Sequence, residues 1–307
     1  VQVRHAGTTR AVVDAVHAAA RAGLRIRVAG SGHSFTPLVA TDGMLLHVDG
    51  LSGVIGVDRE RNRVRVLAGT PLHVLNPALQ RLGLALPNLG DVDRQTISGA
   101  IATGTHGTGT RRQGIAAAVT GLTLVLADGS TLECSRDVQP DVFAAAAVGL
   151  GALGVVTEVE LACVPAYRLH AKESSEALSD LLPRLQAEAD THDHLDLHWF
   201  PHTDRVLVKR NDVVGAQQGP PPLAPWRARL DDDLLANRVF EVINRGAAAL
   251  PASVPVINRA TARVLGAREF ADDSWKVFCS SREVRFVESE YGVPRHALEA
   301  VLAELRA

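Results

Sequence analysis

The sequence predicts an α+β protein made of two domains. The segment "TTRAVVDAVHAAARAG" places Val12, Val16 and Ala19 on one helical face, and short runs rich in Val, Ile and Leu follow it. Beyond Pro165 the sequence pattern changes: charged helical segments alternate with strand-like segments around the proline-rich loop "GAQQGPPPLAPW". A chain of 307 residues is long enough for two domains, so we place the boundary near residues 165–170.

The first helix is expected to begin at Thr8 or Thr9 as N-cap and to end before Gly23. Four short strands are predicted next, in "RIRVAG", "MLLHVDG", "GVIGVD" and "RVRVLAG". A second helix is predicted in "TPLHVLNPALQRLG", with Thr70 as N-cap, Pro71 in its first turn, and a kink or division at Pro77.

The remaining segments alternate between strand and helix. "GLTLVLADGSTLEC" predicts a hairpin that turns at Asp128-Gly129, "VFAAAAVGLGALG" a helix of small residues, and "VVTEVELACV" a strand. In the second domain, "SEALSDLLPRLQAEA" is typical of a helix, whereas "HLDLHWF" and "WKVFCSSREVRFVESEY" are typical of strands.

Composition excludes several classes of protein. The net charge is −2 and there is no basic run, so nucleic acid is not an expected partner. The three scattered cysteines, Cys134, Cys163 and Cys279, favour a reducing compartment over a disulfide framework. With no signal peptide and no segment long enough to span a bilayer, the expected location is the cytoplasm.

The glycine-rich sequence "GSGHSF", residues 30–35, follows a predicted strand. It lacks the third glycine of a dinucleotide fingerprint, and no helical pattern follows Pro37. Successive backbone N–H groups in such a turn can still converge on an anion, although a plain turn between strands is the alternative.

A second glycine-rich stretch, "TISGAIATGTHGTGTRRQG", holds five glycines in residues 96–114. Glycine is favoured where a backbone approaches a ligand closely or takes positive φ. A disordered linker is the alternative, but Ile97, Ala100, Ile101 and Ala102 predict a short buried helix.

Four stretches carry a family resemblance: "RVAGSGHSFTPLVATDG", "LALPNLGDVDRQTISGAIATGTHGTG", "ADGSTLEC" and "LGALGVVTEVELACVP". In order and spacing they resemble the PCMH-type FAD-binding domain of the vanillyl-alcohol oxidase superfamily, and most closely its sugar-1,4-lactone oxidase group. The resemblance implies a two-subdomain FAD-binding domain over residues 1–166. It also implies a substrate or cap domain over 167–307, with an antiparallel sheet flanked by helices, that is expected to continue beyond Ala307.

The resemblance implies cofactor contacts from both glycine-rich loops and from a later strand. The implied FAD-binding residues are Ala29, Gly30, Ser31, Gly32, His33, Ser34, Phe35, Asp91, Thr96, Gly99, Thr103, Gly104, Thr105, His106 and Val155. In many members the histidine of the first loop bonds covalently to the flavin, which carries over to His33. The alternative is that His33 only hydrogen-bonds a phosphate.

The implied reaction is oxidation of a secondary alcohol of an aldono-1,4-lactone by hydride transfer to flavin N5. Gly90 stands where a bulkier residue screens the flavin from dioxygen in similar proteins, so dioxygen is the favoured acceptor and hydrogen peroxide the product. No acid–base pair is assigned, because Glu283 and Arg285 match an earlier family strand than the one that carries the chemistry.

Three other functions remain open from the sequence. They are oxidation of an open alditol or use of a non-oxygen acceptor, flavin binding without turnover, and a nicotinamide-dependent dehydrogenase. The strand "HLDLHWF" puts His194, Asp196 and His198 on one face, but no matching ligand set suggests a metal site. His198 is expected either to line a substrate pocket or to be a polar residue at its rim.

Overall fold

A computed structural model describes residues 1–229, 231, 237–264, 266–280, 282–284 and 286–306. The chain divides into two units. The first unit holds residues 1–107 and 112–166, and the second holds residues 108–111 and 167–307. The chain therefore leaves the first unit after residue 107 and re-enters it at residue 112.

The first unit combines strands with four α-helices and one 3-10 helix, Ile115–Ala118. Its strands are β1 (Gln2–His5), β2 (Ile26–Ala29), β3 (Met44–His47), β4 (Val54–Asp58), β5 (Arg63–Leu67), β6 (Leu84–Ala85), β7 (Val119–Val125), β8 (Thr131–Ser135), β9 (Val155–Ala162) and β10 (Val164–Pro165). Its helices are α1 (Thr9–Arg21), α2 (Leu72–Arg81), α3 (Ile97–Ala102) and α4 (Pro140–Ala147).

Helix α1 packs on a parallel three-stranded sheet in the order β1-β3-β2. Thr8 caps it as predicted, because its side-chain oxygen accepts the Ala11 N–H at 3.1 Å. Gly23 follows with a φ of +64°, a conformation that glycine adopts without a steric penalty. The buried face of α1 includes Val12 and Val16, which join Met44 and Leu46 of β3 in one core.

A second sheet of five antiparallel strands, in the order β4-β5-β9-β7-β8, forms the other half of this unit. Strand β9 alternates buried and half-buried residues along its length. The predicted hairpin joins β7 to β8, and Gly129 in its turn has a φ of +84°.

The prediction for α2 was partly wrong. The helix begins at Leu72 after Pro71, which occupies the N-cap position, and it runs through Pro77 without interruption. Thr70 makes no cap. It is buried, its hydroxyl donates to the Leu67 carbonyl at 2.6 Å, and it accepts the Gly53 N–H at 2.9 Å. The Thr70 hydroxyl therefore makes tertiary hydrogen bonds and does not form the helix N-cap that the sequence predicts.

The second unit contains a four-stranded antiparallel sheet in the order β12-β13-β11-β14. Its strands are β11 (Arg168–Ala177), β12 (His194–Trp199), β13 (Arg205–Val214) and β14 (Arg268–Asp273). Its helices are α5 (Leu178–Leu181), α6 (Leu185–Thr191), α7 (Pro225–Ala228), α8 (Phe240–Ala249), α9 (Val254–Val264), α10 (Ser274–Phe278) and α11 (Leu298–Arg306).

The two faces of this sheet differ in character. On one face, Leu178 and Leu181 of α5 pack against Val206 and Val208 of β13. On the same side, the half-buried Leu195 of β12 packs against that core. The opposite face of β12 carries His194, Asp196 and His198, as the alternation predicted.

The strand predicted over "WKVFCSSREVRFVESEY" was wrong. Residues Ser274–Phe278 form α10, and the described residues from 279 to 294 contain no strand. Glu283 is therefore not half of a strand pair: its carboxylate lies 3.6 Å from the Arg238 guanidinium. Arg285 lies outside the described residues.

Candidate cofactor site

The first unit contains a cavity of about 530 Å³. Its walls come from the end of α1, from β2 with the loop after it, from α3, and from the segment that enters β9. Residues 26–34 line it, together with Thr36, Leu38, Val39, Val16, Ala19, Ala20, Leu24, Gln95, Thr96, Ser98, Gly99, Ile101, Ala102, Thr103, Val125, Leu126, Ala127, Ala146 and residues 150–156.

The loop after β2 presents backbone donors. Among the described residues, the N–H groups from Gly30 to Ser34 donate to no protein acceptor. Gly32 has a φ of +71°, which lets the chain turn within this short run. Side chains in the loop are exposed from residue 31 onward. A run of donors of this kind in a turn suits an anionic group.

Gly30 brings this loop against α3. A Cβ at position 30 would lie 2.3 Å from the Thr96 hydroxyl oxygen, so only glycine allows this approach. Thr96 is buried and caps α3 by accepting the Gly99 N–H at 3.2 Å. The hydroxyl of Thr103, at the far end of α3, donates to the Gly99 carbonyl at 2.9 Å. The two glycine-rich motifs are therefore joined at one wall of the cavity.

Another part of the cavity lining is apolar. Val16 and Ala19 of α1 face it, with Val155 at the start of β9 and Leu153 just before it. The chain reaches β9 through Gly154, whose φ is +156° and where a Cβ would lie 2.7 Å from the Val125 carbonyl oxygen. Leu150 in the same segment has a φ of +51°, which is unusual for a residue with a side chain.

Ten of the fifteen predicted site residues line this cavity: Ala29, Gly30, Ser31, Gly32, His33, Ser34, Thr96, Gly99, Thr103 and Val155. The other five are not among its lining residues: Phe35, Asp91, Gly104, Thr105 and His106. The sequence reasoning missed Gln95, Ser98 and the segment 150–154. The glycines of "VGLGALG" were a signal that a close backbone approach occurs there.

Thr105 and His106 lie instead beside a neighbouring segment. Thr105 accepts a hydrogen bond from the Gln95 side-chain amide at 3.0 Å, and Gln95 does line the cavity. A Cβ at Gly90 would lie 3.1 Å from the His106 carbonyl oxygen, which is tighter than ordinary contact. Asp91 follows as an exposed residue.

The cavity fits a nucleotide-type cofactor. Backbone donors without a protein acceptor follow one another in a glycine turn, which suits a pyrophosphate, and apolar residues of the lining can cover a flat ring system. A side chain at position 30 would fill the approach between the loop and Thr96. The residues present therefore suit a ligand that has both an anionic group and apolar rings.

The second unit carries a histidine–carboxylate pair on β12. The Nε2 atom of His198 lies 3.0 Å from Asp196 Oδ2, and both side chains are partly exposed. The pKa of Asp196 is lowered: desolvation is the largest single influence and would raise it, but the hydrogen bond and charge of His198, the charge of Lys209 and a backbone hydrogen bond together outweigh desolvation. Within the described ranges, no three His, Cys, Asp or Glu side chains converge as a metal site.

The described cysteines are all free thiols. Burial raises the pKa of the Cys163 thiol to about 11, and burial also raises the pKa of Cys134. Neither group suits a nucleophile. None of the helices formed by the described residues is long and apolar enough to cross a membrane.

Two family models match the chain. The model described as "FAD binding domain" matches residues 2–135, which contain the glycine loop and α3. The model described as "D-arabinono-1,4-lactone oxidase" matches residues 159–307.

Several relatives match most of the chain. It is 37% identical over 299 residues to "L-gulono-1,4-lactone dehydrogenase" of Mycobacterium tuberculosis, covering 96% of this chain and 68% of the relative. It is 35% identical over 287 residues to "L-gulonolactone oxidase" of Mus musculus, covering 92% of this chain and 64% of the relative. The chain thus spans about two thirds of the length of these relatives.

Solved structures support the same fold. A crystal structure of cholesterol oxidase from B. sterolicum matches with a TM-score of 0.72 at 20% identity, over 84% of this chain and 53% of that one. A structure of 6-hydroxy-D-nicotine oxidase from Arthrobacter nicotinovorans matches with a TM-score of 0.61 at 23% identity, over 70% of this chain and 50% of that one.

The α+β architecture, the cavity and the matching models define an FAD-binding oxidoreductase fold of the vanillyl-alcohol oxidase, or PCMH, type. Within that class, the chain belongs to the family of sugar-1,4-lactone oxidases and dehydrogenases.

Proposed function

We propose that this protein oxidises a secondary alcohol of an aldono-1,4-lactone of the L-gulono or D-arabinono type. The observation that carries the proposal is the cavity between the Gly30–Ser34 turn and α3. The chain that forms this cavity is 37% identical to a protein named L-gulono-1,4-lactone dehydrogenase. Bound FAD would supply the hydride acceptor. The protein's part is to hold the cofactor, orient the lactone and exclude competing reactions.

The first unit would be the FAD-binding domain and the second the substrate domain. The N–H groups of Gly30 to Ser34 would bind the pyrophosphate, with Thr96 and Gly99 beside them, and Val155 would pack near the adenine. Phe35, Asp91, Gly104, Thr105 and His106 would contact the cofactor from beyond the cavity's lining. The acid–base groups are not assigned to any residue.

We propose further that a ring nitrogen of His33 bonds covalently to the 8α-methyl carbon of the flavin. The methyl C–H and the imidazole N–H bonds would break, the two electrons and two protons would leave the flavin ring reduced, and dioxygen would reoxidise it. His33 lines the cavity and is exposed to it, so its imidazole is accessible to a bound ligand. A neutral imidazole nitrogen is nucleophilic near neutral pH. After acid precipitation the yellow colour should stay with the wild-type pellet, whereas H33A should release its flavin. Release of all wild-type flavin to the supernatant would exclude the linkage.

For the electron acceptor, we propose dioxygen, with hydrogen peroxide as product. Gly90 has no side chain, and in this structure the His106 carbonyl and the Thr105 methyl crowd the space that one would take. The relatives include both a dehydrogenase and an oxidase, so an electron-accepting dye is the specific alternative. Peroxide formation and dye reduction are compared for the wild type and G90A. A fall in the oxygen rate alone would indicate screening, whereas an equal fall in both rates would indicate that the new Cβ displaces the segment of Thr105 and His106.

The central experiment is a visible spectrum before and after anaerobic addition of L-gulono-1,4-lactone. A flavin spectrum that the lactone bleaches supports the proposal. If an alditol bleaches the flavin faster than the lactone does, the substrate is an alditol instead. A flavin that no lactone or polyol bleaches would establish binding without turnover. We also propose a cytoplasmic location, which fractionation of the native host would test.

A further inference from the structure

The cavity of the first unit runs along the free edge of β2. All four residues of this strand, Ile26–Ala29, line the cavity. Successive side chains of a strand point to opposite faces of its sheet, so a cavity lined by four consecutive residues lies beside the strand and not over one face. In the order β1-β3-β2, one edge of β2 pairs with β3, and the cavity therefore borders the other edge.

The pairing with β3 decides which backbone groups of β2 face the cavity. The carbonyl groups of Arg25 and Ala29 accept N–H donors from β3 and from the residue after it, at 2.8 and 3.4 Å. Backbone groups of alternate residues point to opposite edges of a strand. The N–H and C=O groups of Ile26 and Val28 therefore point away from β3, to the side where the cavity lies.

These outward groups are available to a ligand. No other hydrogen bond in the described part of the chain involves the backbone of Ile26 or Val28. Both residues are half-buried, and their side chains pack against the core that contains α1. An unpaired strand edge presents donors and acceptors in a fixed row, and half-buried backbone groups gain from a partner.

The order of the groups along this edge indicates the chemistry of the partner. The Ile26 carbonyl, an acceptor, is followed on the same edge by the Val28 N–H, a donor. Adenine carries an amino donor beside a ring-nitrogen acceptor, which is the complementary pair. A planar base can therefore bind to this edge as a further strand would.

The position of the edge relative to the glycine turn favours adenine over the flavin ring. Ile26 lies four residues before Gly30, about 13 Å along an extended strand. His33, the proposed attachment point of the flavin, lies in the turn itself. A dinucleotide whose phosphates bind the turn and whose flavin is held at His33 has its adenine left for β2.

We propose that the free edge of β2 binds the adenine of the cofactor. The Val28 N–H donates to a ring nitrogen of the base, and the Ile26 carbonyl accepts from its amino group. The inference rests on the proposed function in taking FAD as the ligand, and it adds a basis for selecting the adenine dinucleotide.

The test compares three ligands on the H33A apoprotein, in which flavin is held without a covalent bond. They are FAD, FMN and flavin hypoxanthine dinucleotide, in which an oxo group replaces the amino group of adenine. Flavin fluorescence gives each dissociation constant. With β2 unsubstituted, FAD should bind about tenfold more tightly than the hypoxanthine dinucleotide, because the Ile26 carbonyl then faces an acceptor.

Substitutions in β2 identify the donor. V28P removes an outward N–H and no bond to β3, and proline is tolerated on such an edge. It should weaken FAD binding about tenfold and reduce the preference over the hypoxanthine dinucleotide, with FMN binding unchanged. The matched controls should retain the preference: I26P loses an N–H outside the proposed pair, and V28A keeps the donor with less packing.

Equal affinity of the unsubstituted strand for the two dinucleotides would overturn the inference. So would an equal loss of both dinucleotides in V28P, or the same effect in I26P as in V28P. If V28P does not fold, the comparison of the two dinucleotides on the unsubstituted strand decides the question. A protein that binds no flavin would refute the proposed function as well, whereas one that binds FAD without distinguishing the two bases would refute this inference alone.

Discussion

Replacing Gly30 with alanine tests how the two glycine motifs build the cavity. The new Cβ would lie 2.3 Å from the Thr96 hydroxyl oxygen, which is about 1 Å inside ordinary contact. Thr96 is buried, so it cannot swing into solvent. Either Thr96 rotates and gives up its cap on α3, or the loop moves away. Overpacking of this kind costs about 1–3 kcal/mol in the free energy of unfolding.

A double-mutant cycle isolates the cause. T96A alone removes the N-cap of α3 and should cost about 1 kcal/mol. It also removes the oxygen that G30A would strike, and the nearest remaining atom, the Thr96 Cβ, lies at 3.4 Å. In the T96A background, G30A should therefore cost about 0.5 kcal/mol or less, so the double variant is more stable than the sum of the single changes implies.

G32A is the matched control, because Gly32 has a φ of +71° and no atom within 4 Å of a built Cβ. Its cost is backbone strain of about 1 kcal/mol, which does not depend on Thr96. The cost of G32A should be the same with Thr or Ala at position 96.

Urea denaturation measures the free energies of unfolding, and flavin fluorescence measures the dissociation constant of FAD with and without G30A in an H33A background, in which the flavin is held without a covalent bond. G30A should weaken FAD binding about tenfold or more, since 1.4 kcal/mol corresponds to a factor of ten. If G30A costs as much in the T96A background as in the wild type, steric contact with Thr96 is not the reason for glycine at this position.

Three further predictions concern the scaffold. Arg210 is buried and donates to Glu188 at 2.6 Å, which lowers the pKa of that carboxyl, so the stabilisation that is fully present above pH about 4.5 is lost as the pH falls through the lowered pKa. R210M should lower the free energy of unfolding by about 3–5 kcal/mol at pH 7 and should reduce its fall at acid pH in urea denaturation, and an unchanged fall at acid pH would contradict this. Burial raises the pKa of Cys163 to about 11 from 9.0, so native Cys163 should alkylate at pH 8 roughly 100-fold more slowly than an exposed thiol, as peptide mass spectrometry would report, and equal rates would refute its burial. T70V removes a buried hydroxyl bonded to the Gly53 N–H and should lower the free energy of unfolding by about 1–3 kcal/mol without shortening α2 by circular dichroism; a loss of helix would restore the capping role.

Local patterns predicted the regular elements of the first unit well. The N-cap at Thr8, the hairpin turn at Gly129 and the short helix at Ile97 all follow from interactions within a few residues, which sequence spacing records. The prediction failed at Thr70, whose hydroxyl found partners in tertiary structure instead. It failed again at Ser274–Phe278, where β-favouring residues form a helix after β14.

The candidate site was likewise predicted only in part from the sequence. Glycines marked both loops in the sequence, because only glycine tolerates the backbone conformation at Gly32 and the contact at Gly30. No spacing revealed that Gln95 and the segment around Leu153 would face the same cavity. Those residues come together through the packing of distant segments.

The sequence by itself determined the fold class, the family and the places where the backbone must bend or approach closely, because these depend on residue type and local spacing. Only the tertiary structure decided which hydroxyl caps a helix and which carries a long-range bond. It also placed the buried His194 ring within hydrogen-bond distance of the Thr108 carbonyl, 86 residues away in the chain. The physical reason is that hydrogen-bond partners far apart in the chain are chosen by packing, and packing leaves no periodic signal in a sequence.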